Sequence, residues 1–311
     1  MKKNSLFKTL FDIIQESLGY PASLYTLIEN CPDISMPLDE PKFSISLIDS
    51  IISWHEWKWN PSYKRKIGEV MGCCGHYTSY NQVLTELSNF TDCNIIENWK
   101  GDIQDIVGIC FSKSKLDDFD TFDKMVKENA PEMITPVTVE KLNQNLAHRG
   151  IDIIHNKKTS NHFEQYMWDG RIFLSNHDGS HHFAAARYIA YQLNTPVPLI
   201  GKLYIYSINE QSVISLCNKY EIFTIEMNYF VRFSQIMKNF SVPFMWYPLP
   251  QHNSEKYYEN HYVIFLPKNN KKSIKMATIL HKSNFFDFGR YLRDLVERQN
   301  RNIKQQYLQA A

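Results

Sequence analysis

Hydrophobic positions along the chain recur with two periods. Near the start, Phe7, Leu10, Phe11, Ile14 and Leu18 fall at i, i+3, i+4, i+7 and i+11, the one-sided stripe of an amphipathic helix. Gly19 and Pro21 supply its stop signal. Residues 33–41 are rich in proline and acid and read as a loop. Further on the period shortens. Residues 163–168 and 171–174 have strand character, with Asp169-Gly170 between them. They predict a β-hairpin, because an Asp-Gly pair tolerates the positive φ of a tight turn. The second strand runs directly into His177-Asp178-Gly179-Ser180-His181-His182. A helix comes next, with Phe183, Ala186, Ile189, Ala190 and Leu193 on its apolar side. Pro196 and Pro198 mark its exit. Strands are expected near 203–207, 222–225, 244–247 and 262–266, and a short helix over 213–220. A long closing helix carries Phe288, Tyr291, Leu292, Leu295 and Val296 on one face. Arg290, Arg293, Arg298, Arg301 and Lys304 stud the rest.

This succession predicts a mixed α/β (α+β) protein. Residues 1–150 read as a mainly helical N-terminal region. Residues 151–311 read as an α/β core with the hairpin, the Asp-Gly-Ser-His-His helix start and a basic C-terminal helix, the two forming separate units or one continuous domain. With 311 residues, 43% hydrophobic and 14% aromatic, the chain buries a sizeable core, which excludes a disordered protein. No apolar run approaches the roughly 18 residues of a membrane span. Lys2 and Lys3 resemble a signal-peptide start, but Lys8, Asp12 and Glu16 break up the stretch beyond them. No secretory leader is therefore expected, and the expected compartment is the cytoplasm. Six cysteines in 311 residues are too few for a disulfide scaffold. The totals of 34 basic and 33 acidic residues nearly cancel, yet charge is unevenly placed. Residues 91–140 hold 11 acidic and 5 basic side chains, and residues 268–311 hold 10 basic and 3 acidic. The basic end suits a nucleic-acid backbone, a membrane surface or the acidic middle of the same chain.

Trp54, His55, Trp57 and Trp59 precede Tyr63, Lys64, Arg65 and Lys66. Aromatics beside a basic run can stack on single-stranded nucleic acid; tryptophans also serve as core or interface anchors. Trp57, Trp59 and Arg65, with His177, are therefore candidate substrate contacts. The glycine-dense segment 68–76 precedes a helix-like stretch through Val83, Leu84 and Leu87, but has neither P-loop nor GxGxxG spacing. Its Cys73, Cys74 and His76 lack a CxxC and a second half, so zinc is not expected and no metal ligand is assigned. Asp117, Asp118, Asp120 and Asp123 lack the central glycine and closing glutamate of a calcium loop and suggest a solvated helix start.

Most of the chemistry lies at residues 177–182. A strand turning sharply into a helix exposes the helix's first N–H groups, which favour an anion, above all a phosphate. Gly179 gives the backbone freedom for the turn, and Asp178 or Ser180 caps the helix. His181 and His182 stand about 100° apart around its axis. The phosphate-binding candidates are Gly179, Ser180 and Arg187. The acid–base candidates are Asp178, His181 and His182, Asp178 serving alternatively as the group that orients a histidine. Upstream, His148 reads as part of an ordinary helix C-terminus, where basic residues are expected.

The hairpin, the strand, Asp-Gly-Ser-His-His and then Phe-Ala-Ala-Ala-Arg together resemble the core motif of the ParB/sulfiredoxin superfamily, over residues 163–193. In that superfamily a strand leads into Gly-x-His/Arg-Arg and an alanine-rich helix. The resemblance implies that Gly179, His181 and His182 contact nucleotide phosphates, with Phe183, Ala184 and Ala185 opening the helix. It also implies a ParB/sulfiredoxin-like core. His182 departs from the usual arginine, and an imidazole lacks the guanidinium's bidentate fork and permanent charge, which favours acid–base use. The longer string 176–190 also resembles the signature of an uncharacterised bacterial family.

The leading expectation is an enzyme on a nucleotide or nucleic acid, a hydrolase or transferase. The open chemistries are phosphoryl transfer, nucleotide hydrolysis, and nuclease or DNA glycosylase action, with magnesium entering alongside a nucleotide. The alternatives are a nucleotide-gated module that recruits DNA or a protein, and a non-catalytic scaffold.

Overall fold

The computed structural model describes residues 20–38, 40–59, 66–74, 78–156, 158–250 and 261–310; the N-terminal stripe, Arg65 and His76 lie outside them. In chain order the strands are β1 (Glu69–Cys74), β2 (Thr78–Val83), β3 (Thr91–Asp102), β4 (Ile106–Ile109), β5 (His162–Tyr166), β6 (Ile172–Ser175), β7 (Pro198–Ile208), β8 (Tyr220–Glu226), β9 (Phe244–Pro248) and β10 (His261–Pro267). The longer helices are α1 (Ala22–Asn30), α2 (Phe122–Asn129), α3 (Val139–Leu146), α4 (Ser180–Gln192), α5 (Glu210–Lys219), α6 (Met227–Asn239), α7 (Lys271–Lys282) and α8 (Phe288–Ala310). The class is mixed α+β, as the sequence predicts.

Among the described residues two five-stranded sheets form, in the orders β3-β7-β5-β6-β4 and β2-β1-β9-β10-β8. Side chains alternate across a strand, and that alternation sorts the core into layers. Phe163 and Leu174 of the first sheet pack with Phe122, Phe183, Ala184, Ala185, Ala186 and Ile189 beneath α2, α3 and α4. The alanine run lets α4 lie close to the sheet. Tyr166 and Phe173 face the other way, joining Trp54, Trp57, Phe288, Leu292 and Leu295. Val263 and Phe265 of the second sheet enter this same layer, while Ile264 and Leu266 turn outward to Leu24, Phe233, Met237, Met276 and Leu280 under α1, α6 and α7. Helix α8 therefore closes the chain in the layer between the sheets, on the face its apolar stripe predicts.

Both sheets draw strands from either side of residue 150. β3 pairs with β7, β4 with β6 and β1 with β9, so the division at that point matches no break in hydrogen bonding. The N-terminal region, expected to be mainly helical, contributes four strands among the described residues. β1 and β2 pair antiparallel within the glycine-dense stretch and beyond it, and the helix expected through Val83, Leu84 and Leu87 is confined to Thr85–Ser88. β3 is exposed along most of its length, so it lacks the alternation that would have revealed it.

The Asp-Gly hairpin exists, with Phe163 opposite Leu174, but its connection is wider than a two-residue turn. Gly170 takes positive φ, and the turn is closed by the N–H groups of Asp169 and Gly170, which donate to Tyr166 O at 2.9 and 2.7 Å, while the Asp169 side chain accepts from Arg171 Nε at 2.6 Å. Trp57 is an anchor. It is 1% exposed, and its Nε1 donates to Pro248 O at 2.9 Å. Asp123 lies in the first turn of α2, capped by Thr121, which agrees with a solvated helix start. The basic end meets acids at several places, with Arg298 on Glu40 and Lys268 on Glu221. Among the described residues no helix is long and apolar enough to cross a membrane.

Gln299 of α8 ties this layer to the first sheet. Its side chain accepts from Ile208 N at 2.7 Å and donates to Ile208 O at 2.9 Å, at a site only 4% exposed. Gln299→Leu leaves a buried N–H and a buried C=O without partners, at about 1–3 kcal/mol each. Urea unfolding of this variant should show a loss of roughly 2 kcal/mol or more, whereas a loss under about 0.5 kcal/mol would contradict the pairing.

Candidate functional site

β4 and β6 are parallel neighbours, with Ile109 beside Leu174, so the chain leaves both at the same end. Ligands in α/β sheets gather at such carboxyl ends. The two departing segments, 111–114 and 176–179, are joined by buried Asn176. It accepts from Phe111 N at 3.1 Å and donates to Phe111 O at 2.9 Å and Asp178 O at 3.1 Å. The clasp supports a cleft of about 420 Å³ lined by Phe111, Ser112, Lys113, Met133, His148 and residues 177–182.

The cleft floor is the start of α4. Gly179 is the N-cap, in the left-handed region at φ 74°, and no side chain caps the helix. The expected cap by Asp178 or Ser180 is therefore corrected. Asp178 Oδ1 accepts from the Gly179 N–H at 2.7 Å, one residue too early, and Ser180 donates to Ser112 Oγ at 2.9 Å. The first helical bond runs from Phe183 N to Gly179 O. The N–H groups of Ser180, His181 and His182 precede it and are left to an outside acceptor.

His181 and His182 diverge as expected. His181 Nε2 lies 2.8 Å from Ser114 Oγ, which also accepts from Asn129 Nδ2 at 2.7 Å. His182 Nδ1 lies 3.0 Å from Asn145 Oδ1, and its ring stacks on His148 with centroids 3.8 Å apart and planes 13° apart. Burial, and then nearby Lys113, lower the His181 pKa from 6.5; Glu132 opposes them. Burial and then His148 lower that of His182, with Asp178 opposing. His177, at the rim, meets Ser160 Oγ at 3.1 Å.

Other candidates lie elsewhere. Arg187, expected at the phosphate, lies on another face of α4. Its Nε donates to Ile106 O at 3.0 Å, and it pairs with Asp123 at 3.6 Å. Trp57 is in the core, and Trp59, 57% exposed, does not line the cleft. His148, an ordinary helix C-terminus by sequence, stands in the cleft; Ser112 and Lys113 line it too, and Asn145 and Asn176 bond to residues that line it, none of the four having been singled out. The one available signal is the Ser-Lys-Ser run shortly after the apolar strand β4. Among the described residues, no three His, Cys, Asp or Glu side chains converge to hold a metal.

A second titratable group occupies the opposite face of the first sheet. Glu164 accepts from Tyr166 Oη and lies 3.0 Å from His162 Nε2, while His162 Nδ1 lies 2.9 Å from Ser160 O. Both nitrogens of His162 face acceptors, and the Glu164 carboxylate raises its pKa. His55 stacks on Tyr206 with centroids 4.4 Å apart, and burial pushes its pKa down to about 4.

A mixed α+β protein with a histidine-lined cleft over an uncapped helix is thus defined. The chain belongs to DUF6685, a family of unknown function, whose model matches residues 96–305; the cleft residues all fall inside that span. No curated protein and no solved structure matches the chain.

A Cβ at Gly179 would meet Gly150 C and O at 2.5 Å and Ile151 N at 2.7 Å, on top of the roughly 1–2 kcal/mol cost of a left-handed residue. Gly179→Ala should lower stability by about 2 kcal/mol or more and shift the amide resonances of residues 148–151; unchanged resonances would refute the close approach. His55 governs part of the acid limb. The unfolded chain protonates this ring below pH 6.5, whereas the folded protein resists until about 4. Its contribution is complete above 6.5 and declines by about 3 kcal/mol as pH falls to about 4. His162, with its raised pKa, acts in the opposite sense, its contribution being lost as pH rises through the folded value. Denaturation of His55→Phe across this window should show a shallower acid loss than the wild type. Parallel curves would exclude His55 as the cause.

Proposed function

We propose that the cleft binds the phosphate of a nucleotide or nucleic acid and that the protein is an enzyme, a hydrolase or transferase, acting on that substrate. The observation carrying this reading is the uncapped start of α4, which opens its N–H groups into a cleft lined also by Lys113 and four histidines. Backbone donors and a lysine suit a phosphate. The cleft volume falls in the range of small-molecule sites. The resemblance of Gly179, His181 and His182 to a nucleotide-phosphate motif points the same way.

The N–H groups of residues 180–182 and the Lys113 ammonium hold the anion. His181 and His182, kept largely neutral near pH 7 by their lowered pKa values, accept or relay protons. Asp178 is the carboxylate lining the cleft among the described residues, and magnesium entering with a nucleotide would meet it there. Phosphoryl transfer, nucleotide hydrolysis, and nuclease or glycosylase action all use these parts.

Thermal unfolding with inorganic phosphate, nucleoside mono-, di- and triphosphates and short DNA, with and without magnesium, tests the reading. A ligand near 100 times its Kd should stabilise by about 2–3 kcal/mol. Lys113→Ala and His181→Ala should each lose most of that shift. No shift with any ligand, or an undiminished shift in both variants, would reject the site. Binding without turnover would favour a nucleotide-gated module over an enzyme.

A further inference from the structure

The hydrogen bonds around the stacked histidines determine which nitrogen of each ring carries the proton. Asn145 is 3% exposed, and its Nδ2 donates to Met133 O at 2.8 Å and Lys141 O at 3.0 Å. With both amide hydrogens directed at carbonyls, Asn145 Oδ1 is left facing His182 Nδ1 at 3.0 Å. An amide oxygen only accepts, so Nδ1 of His182 is the protonated nitrogen and Nε2 holds the lone pair. The neighbouring ring has the opposite arrangement. Gly150 N donates to His148 Nδ1 at 3.1 Å, so the proton of neutral His148 sits on Nε2.

We infer that Asn145 is a positioning residue that makes His182 Nε2 the proton acceptor of the cleft, while His148 presents an Nε2–H donor to the bound anion. The inference rests on the reading of the cleft as a phosphate-ester site. A water or substrate hydroxyl at His182 gives up its proton to Nε2. The O–H bond breaks, an N–H bond forms, and the electron pair stays on oxygen. The resulting imidazolium is stabilised by Asn145 Oδ1, which still accepts from Nδ1–H, and by the neighbouring phosphate.

The groups facing His182 suit a base. Lys141 approaches from α3, His148 from the loop after it and His181 from the same helix, all opposing a charge on the ring; Asp178 from the turn favours it. The net effect, with burial, keeps the ring unprotonated and able to accept.

Long-range proton–nitrogen spectra of the full-length protein labelled with ¹⁵N-histidine read the tautomers directly. Near neutral pH, His182 should show a protonated Nδ1 and a bare Nε2, and His148 the reverse. A protonated Nε2 on His182, or rapid averaging of its two nitrogens, would overturn the inference. Asn145→Asp keeps the acceptor but makes it anionic, and should raise the His182 pKa by about one unit or more with the Nδ1–H tautomer retained. An unmoved pKa in a folded Asn145→Asp protein would show that the side chain does not govern the ring. Because these spectra need no ligand, they separate from the phosphate test. The tautomers can hold while phosphate fails to bind, or phosphate can bind to a protein whose tautomers are wrong.

Discussion

The candidate site depends on the Asn176 side chain. Beyond Cys110, whose N–H reaches Leu174 O at 3.1 Å, the parallel ladder between β4 and β6 has no further backbone partner for Phe111. Asn176 supplies one. Its amide oxygen and nitrogen copy the acceptor and donor of a strand and extend the ladder by one residue. The two loops thereby leave the sheet as a fixed pair instead of fraying apart. Asp178 O is held by the same amide, so the clasp also sets where the turn into α4 begins. An aspartate could accept from Phe111 N but could not donate to the two carbonyls, so two of the three bonds of the clasp would be lost.

The same solution recurs at two further places. Gln299 serves Ile208 from helix α8, and Asn145 joins Met133, Lys141 and His182. An amide is the one neutral side chain that both donates and accepts on a planar group matching a peptide. It therefore satisfies backbone without importing charge into an apolar layer, where an ion would demand a counter-ion. At Asn145 this neutrality has a chemical consequence. A carboxylate there would favour the His182 cation and raise its pKa, whereas the amide orients the ring without adding a charge beside it.

The class of fold and the core of the site were legible because each rests on local pattern. The helix start after Gly179 is predicted by a glycine between a strand and an alanine-rich stripe, and α8 by its apolar face. Strands buried on both sides, such as β10, announce themselves as apolar runs. β3 does not, because most of its side chains meet solvent and no buried face imposes alternation. The Arg187 expectation failed on helical geometry. Six residues beyond His181 is about 240° around the axis and roughly 9 Å along it, which carries the guanidinium to Ile106 and Asp123. His148 and Asn145 were not legible because their roles come from packing α3 against α4, a long-range contact that leaves no spacing signal in either segment.

An anion site and a base make opposite demands on a histidine, since an anion favours imidazolium and a base must begin neutral. In the cleft as the proposed function reads it, the demands are assigned to different groups. The permanent charge lies on Lys113 and the directional donors are backbone N–H groups of residues 180–182, so anion binding does not require a cationic ring. Burial and then Lys113 lower the His181 pKa, so the group proposed to attract the anion also opposes a charge on the nearby imidazole. His148 bears on His182 in the same way through the stack. An arginine at position 182 would have supplied charge and a bidentate fork, but its guanidinium stays protonated throughout the physiological range. On the proposed function, histidine there lets the start of α4 combine charge binding with proton transfer, and the division of labour with Lys113 is what would make the two compatible.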